Sequence, residues 1–127
     1  MTSKDDTTLV LLVQSSKRLF CYFHITDSKV KEFEEIHGIN SWSNSKAVIK
    51  VFSVKNGKVK EINEIQLESN IDSLYINLDR DNLTVFIKLG RILPSNTFMS
   101  IATSNKVSTP RSTEFHTIMK SVSSEFI

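Results

Sequence analysis

Leu9-Val10-Leu11-Leu12-Val13 is a continuous apolar run of the length expected for a buried strand. A Ser15-Ser16-Lys17 turn separates it from a second run, Leu19 to Ile25. Ala47 to Val54 is rich in β-branched residues and ends in Lys55-Asn56-Gly57-Lys58. Asn-Gly between two strand-like runs is the strongest short hairpin signal. Its partner is therefore Val59 to Leu67, with Ile62, Ile65 and Leu67 as the apolar positions. Leu74-Tyr75-Ile76-Asn77-Leu78 alternates strictly, and so does Leu83 to Leu89. Thr97 to Thr103 and a short run at Val107 complete the strand-like segments.

Two segments carry a helical period instead. Val30, Phe33 and Ile36 follow Asp27-Ser28 and precede Gly38, which predicts a short helix over 27–37 with Asp27 as its N-cap. Near the end, Phe115, Ile118, Met119, Val122 and Phe126 fall on one stripe of a helix starting near Ser112 or Thr113. The chain thus divides into a disordered start at 1–7, a β-domain at 8–111 and an amphipathic helix at 112–127. The helix is expected to dock on apolar surface, either on its own domain or on a neighbouring copy.

Seven or eight short strands with regular turn signals point to an antiparallel sandwich or barrel. Helices do not alternate with the strands, which argues against a parallel α/β sheet.

Composition narrows the function classes. At 127 residues one domain is expected, and sixteen basic against fourteen acidic residues leave a net charge of +2. That balance argues against nucleic acid, although the pI is near 8.7. No apolar run approaches a membrane span, and the N-terminus has no signal-peptide pattern. The single cysteine, Cys21, cannot form an intramolecular disulfide, so a cytoplasmic, reducing location is expected.

Four pieces of the chain, in order, give a family resemblance: Leu19-Phe20-Cys21-Tyr22-Phe23-His24, Ile49-Lys50-Val51-Phe52-Ser53, Leu74-Tyr75-Ile76, and the ending Ala102-Thr103-Ser104-Asn105-Lys106-Val107-Ser108-Thr109-Pro110-Arg111. The chain resembles a bacterial family known as a domain of unknown function, which ends in A-R-S-N-x-V-x-T-P-R. Phe23-His24 stand where that family has Trp-Glu, and Thr103 stands for the Arg of its ending. The resemblance implies an all-β, immunoglobulin-like antiparallel sandwich in a cytoplasmic bacterial protein. It also implies relatives that accompany α-glucan branching-type enzymes, and it carries over no catalytic residue. In physical terms the ending is a strand terminator. Ser104 and Asn105 can bond nearby backbone, and Pro110 cannot extend a ladder.

No catalytic constellation has workable geometry, so no enzyme, cofactor or metal site is expected. Cys21 and His24 are three apart on a strand and point to opposite faces. Cys21 shares the core face with Leu19, Phe23 and Ile25, as a buried thiol would. The histidines His24, His37 and His116 are not clustered.

The other face of the strands carries the functional expectation. Phe20, Tyr22 and His24 point outward, as do Tyr75 and Asn77, and Phe86 and Lys88. If their strands are neighbours they form one aromatic patch, unless the C-terminal helix covers it. The leading expectation is a non-catalytic module that binds a protein partner or self-associates, with the C-terminal stripe as a partner contact. The alternative is an α-glucan-binding module stacking sugar on Phe20, Tyr22, Tyr75 and Phe86, joined by Trp42 from a Ser/Asn-rich loop. Nucleic-acid stacking on the same aromatics is a further alternative.

Overall fold

The computed structural model describes residues 6–112. Eight strands and one helix follow in the order β1 (Thr8–Ser15), β2 (Arg18–His24), α1 (Asp27–His37), β3 (Lys46–Lys55), β4 (Lys58–Gln66), β5 (Ser73–Asn77), β6 (Thr84–Ile92), β7 (Phe98–Thr103) and β8 (Val107–Ser108). They form two antiparallel sheets, β1-β2-β5 and β4-β3-β6-β7, with β8 paired to β6. The expected all-β sandwich with one short helix is what folds. The C-terminal stripe of Phe115, Ile118, Met119, Val122 and Phe126 lies outside the described residues, as do residues 1–5. Thr7 is held in place: its Oγ1 accepts a 3.1 Å bond from the Thr26 N–H.

Side-chain parity builds the core. Odd-numbered residues of β1 and β2 (Leu9, Leu11, Leu19, Cys21 and Phe23) point inward. They meet Ile49, Val51, Val85, Ile87 and Leu89 from the facing sheet. Burying each large aliphatic side chain stabilises by about 1.5–3 kcal/mol, and this set holds the two layers together.

The hairpin signal behaves as read. Lys55 pairs with Lys58, and Asn56 and Gly57 both take positive φ, at 53° and 75°. That is the pair of left-handed steps a two-residue I′ turn requires. Asn40, Asn70, Asn82 and Asn96 make single left-handed steps elsewhere. In a chain with three glycines, asparagine supplies this conformation. A bulge explains the broken alternation of β4. Val51 faces Asn63 and Phe52 faces Glu61, so Ile62 is skipped and both Ile62 and Ile65 reach the core.

The helix departs from its reading in two ways. Its N-cap is Thr26, not Asp27: Thr26 is extended and its Oγ1 accepts from the Lys29 N–H at 3.2 Å. Asp27 sits in the first turn instead, where a carboxylate suits the helix dipole. Of Val30, Phe33 and Ile36, only Phe33 is buried, and Ile36 is 67% exposed. The helix is anchored through a local ring cluster. Phe33 lies 5.3 Å from Trp42, edge-on, and 4.5 Å from His37.

The Ser104-to-Pro110 ending keeps one local bond, from Ser104 Oγ to the Asn105 carbonyl at 2.8 Å, but its other side-chain bonds reach far along the chain. Asn105 pairs with the backbone of Leu11, 94 positions away. Its Oδ1 accepts from the Leu11 N–H and its Nδ2 donates to the Leu11 carbonyl, both at 2.9 Å. Ser104 Oγ accepts from the Ile87 N–H at 2.9 Å. Thr109 Oγ1 accepts from the Leu83 N–H at 2.9 Å, while the Thr109 N–H donates to the Leu83 carbonyl at 2.7 Å. The stretch ties β1 of one sheet to β6 of the other.

Candidate interaction surface

Even-numbered residues of β1 and β2 point away from the core, and the register brings them together. Leu12, Phe20 and Tyr75 stand opposite one another across β1, β2 and β5. Val10 and Tyr22 form the next row, and Thr8 and His24 the row beyond. Phe20 lies 5.0 Å from Tyr75 and 6.5 Å from Tyr22, ring centre to ring centre. The Arg18 guanidinium lies over the Tyr75 ring, 4.2 Å from its centre. Leu12, Tyr22 and Tyr75 are 48%, 45% and 50% exposed. One sheet thus turns one apolar face to the core and a second toward solvent.

The expected single patch divides in two. Phe86 and Lys88 belong to the five-stranded sheet and face the opposite side of the sandwich from Phe20, Tyr22, His24 and Tyr75. There Phe86 stacks on Phe52 at 5.2 Å, with Lys88 Nζ 5.7 Å above Phe52. Lys50 Nζ lies 4.9 Å over Phe98 and pairs with Glu61 at 3.0 Å and Glu64 at 3.5 Å. The hydrogen bond to Glu61 raises the Lys50 pKa above the usual lysine value. Phe98 in turn covers Gly90, where a Cβ would meet its ring and the Met99 carbonyl at 2.5 Å. Each aromatic side chain on this face already has a neighbour and is only half exposed.

Trp42 is tied into the scaffold. The Arg91 guanidinium lies 4.3 Å over its ring. Arg91 also donates to Trp42 O at 2.7 Å, Ser45 O at 2.8 Å and Ser45 Oγ at 2.7 Å. Burial lowers the Arg91 pKa. This knot fixes the α1–β3 loop and lines a cleft of about 520 Å³ at the end of the sandwich, with Phe23, Gln66 and Asn70 on its walls.

Cys21 is fully buried, and desolvation pushes its thiol up to about 11 despite a backbone hydrogen bond at Leu74. Among the described residues, no three His, Cys, Asp or Glu side chains gather as a metal would need. No helix among them is long and apolar enough to cross a membrane.

Sequence reading missed Val10, Leu12 and Arg18 as members of the surface. The signal was available: Leu9 to Val13 is apolar at both parities, yet the core takes only one of them.

A model of the family described as "Domain of unknown function (DUF4912)" matches residues 5–119, continuing past β8 into the C-terminal segment. The chain belongs to that family, in agreement with the resemblance of its ending. No curated protein matches the chain. Among solved structures, one described as "Myokine structure" is similar at 12% identity and a TM-score of 0.43, covering 84% of this chain and 95% of that one. A likeness at that level carries no argument.

Proposed function

We propose that this member of the DUF4912 family is a non-catalytic interaction module that binds a protein partner or self-associates through the outer face of β1-β2-β5. One observation carries the reading. Leu12, Tyr22 and Tyr75 stand exposed around Phe20 on a rigid sheet whose other side is core. Contiguous exposed apolar surface of this kind is characteristic of interaction sites, and Tyr with Arg is a composition enriched there. The aromatics of the opposite sheet support the choice by contrast, since Phe52, Phe86 and Phe98 are all less exposed than Tyr22 and Tyr75. Strand order supports the immunoglobulin-like form of the sandwich. The buried lone thiol fits a reducing, cytoplasmic setting in a bacterium.

Size-exclusion chromatography with light scattering, together with capture from the native extract, tests the reading. Assembly or a recovered partner is expected. A strict monomer that recovers nothing overturns it.

A second reading has its own observation. Tyr22 presents a half-exposed ring beside Tyr75 and the Arg18 donors that lie over it, a platform at whose edge an α-glucan can stack. Affinity electrophoresis in glycogen or starch gels tests it, and unchanged mobility removes it. Retardation that Tyr75→Ser abolishes favours sugar over protein.

A further inference from the structure

The cleft of about 520 Å³ opens where the end of β2, the α1–β3 loop, the β4–β5 connection and β6 meet. A volume of this size is that of a small-molecule site. Phe23, Ile25 and Ile71 give it an apolar side, and Lys46, Asn70 and Arg91 a polar one. Backbone bonds fix its walls. The Phe23 N–H donates to the Asp72 carbonyl and the Leu67 N–H to the Ala47 carbonyl, each at 2.9 Å. Phe23 belongs to the core side of its sheet, so the cleft is separate from the outer face that carries Phe20, Tyr22 and Tyr75.

The charge of the cleft is unbalanced. The guanidinium of Arg91 is partly withdrawn from water, and its acceptors, Ser45 Oγ and the carbonyls of Trp42 and Ser45, are all neutral. Those bonds use Nε and Nη2 and leave Nη1 without a partner among the described residues. Among those residues the unpaired side-chain atom sealed from solvent is Ser41 Oγ, so Nη1 stays within reach of a solute. Lys46 adds a second cation, and Glu68 is the one carboxylate on the lining. Neither cation forms an ion pair with it or with another carboxylate among the described residues. The lining therefore carries a net charge of +1 (2 − 1 = 1), the match for a single negative group. A half-buried guanidinium without a counter-ion carries a desolvation cost that a bound oxyanion offsets, and its planar fork suits a carboxylate.

We infer that the cleft binds a small monocarboxylate with an apolar body, its carboxylate held by Arg91 and Lys46 and its body against Phe23, Ile25 and Ile71. This is a second site, beyond the docking face, and its test fails or succeeds independently of assembly and capture.

Octanoate titrated into the full-length protein tests it. Trp42 lines the cleft and is the sole tryptophan, so its fluorescence reports occupancy, and amide chemical shifts report the location. The expected result is a saturable change in emission, with shifts at Phe23, Asn70 and Arg91 and none at Tyr22 and Tyr75. Octanamide has the body without the charge, and inorganic phosphate has charge without the body. Each is expected to bind at least about tenfold more weakly, the equivalent of one lost charge-assisted hydrogen bond for the amide. Lys46→Glu reverses a charge at an exposed position, and it should weaken octanoate by about tenfold with an unchanged unfolding midpoint. The inference is overturned if octanoate gives no saturable response up to about 10 mM. Octanamide or phosphate bound as tightly as octanoate, shifts centred on Tyr22 and Tyr75, or a Lys46→Glu chain of native affinity overturns it equally.

Discussion

Replacing Asn105 by alanine removes both hydrogen bonds that its amide makes with the backbone of Leu11. Their 2.9 Å lengths are ordinary for good bonds. Each contributes about 1 kcal/mol net, so the pair accounts for about 2 kcal/mol, and more if water fails to reach the freed groups. Against a total stability of about 5–15 kcal/mol that is a large fraction. Urea unfolding followed through Trp42 fluorescence reads it directly. At a slope of about 1–2 kcal/mol per molar, the midpoint falls by about 1–2 M with the slope unchanged. Two companions separate hydrogen bonding from size. Among the described residues, Asn63 Oδ1 accepts from its neighbour alone, the Glu64 N–H, on the exposed side of β4, so Asn63→Ala costs less than about 0.5 kcal/mol. Asn105→Asp keeps the acceptor for the Leu11 N–H but turns a second oxygen toward the Leu11 carbonyl. It is nearly as damaging as alanine although it is isosteric. Equal costs at positions 63 and 105, or an aspartate variant as stable as the native chain, would refute the clamp.

Three further predictions follow from the scaffold. Gly90→Ala drives a Cβ into the Met99 carbonyl and the Phe98 ring, and thermal unfolding should show a loss of about 1–3 kcal/mol. Arg91→Ala frees the carbonyls of Trp42 and Ser45 and uncovers the indole. Chemical unfolding should report a loss of about 2 kcal/mol or more, with a changed Trp42 emission, and Arg91→Lys restores only part of it. Burial raises the Cys21 thiol from near 9 to about 11. The folded state then holds the proton more tightly than the unfolded state, so its stabilising effect is complete below pH 9 and is lost as the pH rises toward 11. Unfolding free energies measured across that window should decline, and a thiol reagent at pH 8 should react only with unfolded chains.

Elements with a local cause were legible in the sequence. The Asn56-Gly57 turn, the inward parity of Leu19, Cys21 and Phe23, and the strand stop at Pro110 each depend on a few adjacent residues. Partners set by long-range pairing were not. Phe20 and Phe86 obey the same outward rule, and nothing local says that their strands belong to different sheets. Asn105 is likewise a turn former by type. Only the approach of β1, 94 positions earlier, makes it a clamp. Trp42 looked available because its loop is polar, whereas Arg91 and Phe33, supplied by β6 and α1, hold its ring. The helix cap slipped by one residue because Thr26 and Asp27 are both capping types and the extended backbone at Thr26 decides between them.

The central claim is that the three-stranded face is a working surface and the five-stranded face is structural. Comparing the full-length Tyr22→Ser/Tyr75→Ser and Phe52→Ser/Phe86→Ser chains, by equilibrium unfolding and by assembly or capture, tests it most directly. The first pair should keep the sandwich within about 1 kcal/mol of native and lose binding. The second should lose about 2 kcal/mol or more with its stacked rings while the folded fraction still binds. A first pair that unfolds like a core variant, or that binds as well as the native chain, contradicts the account.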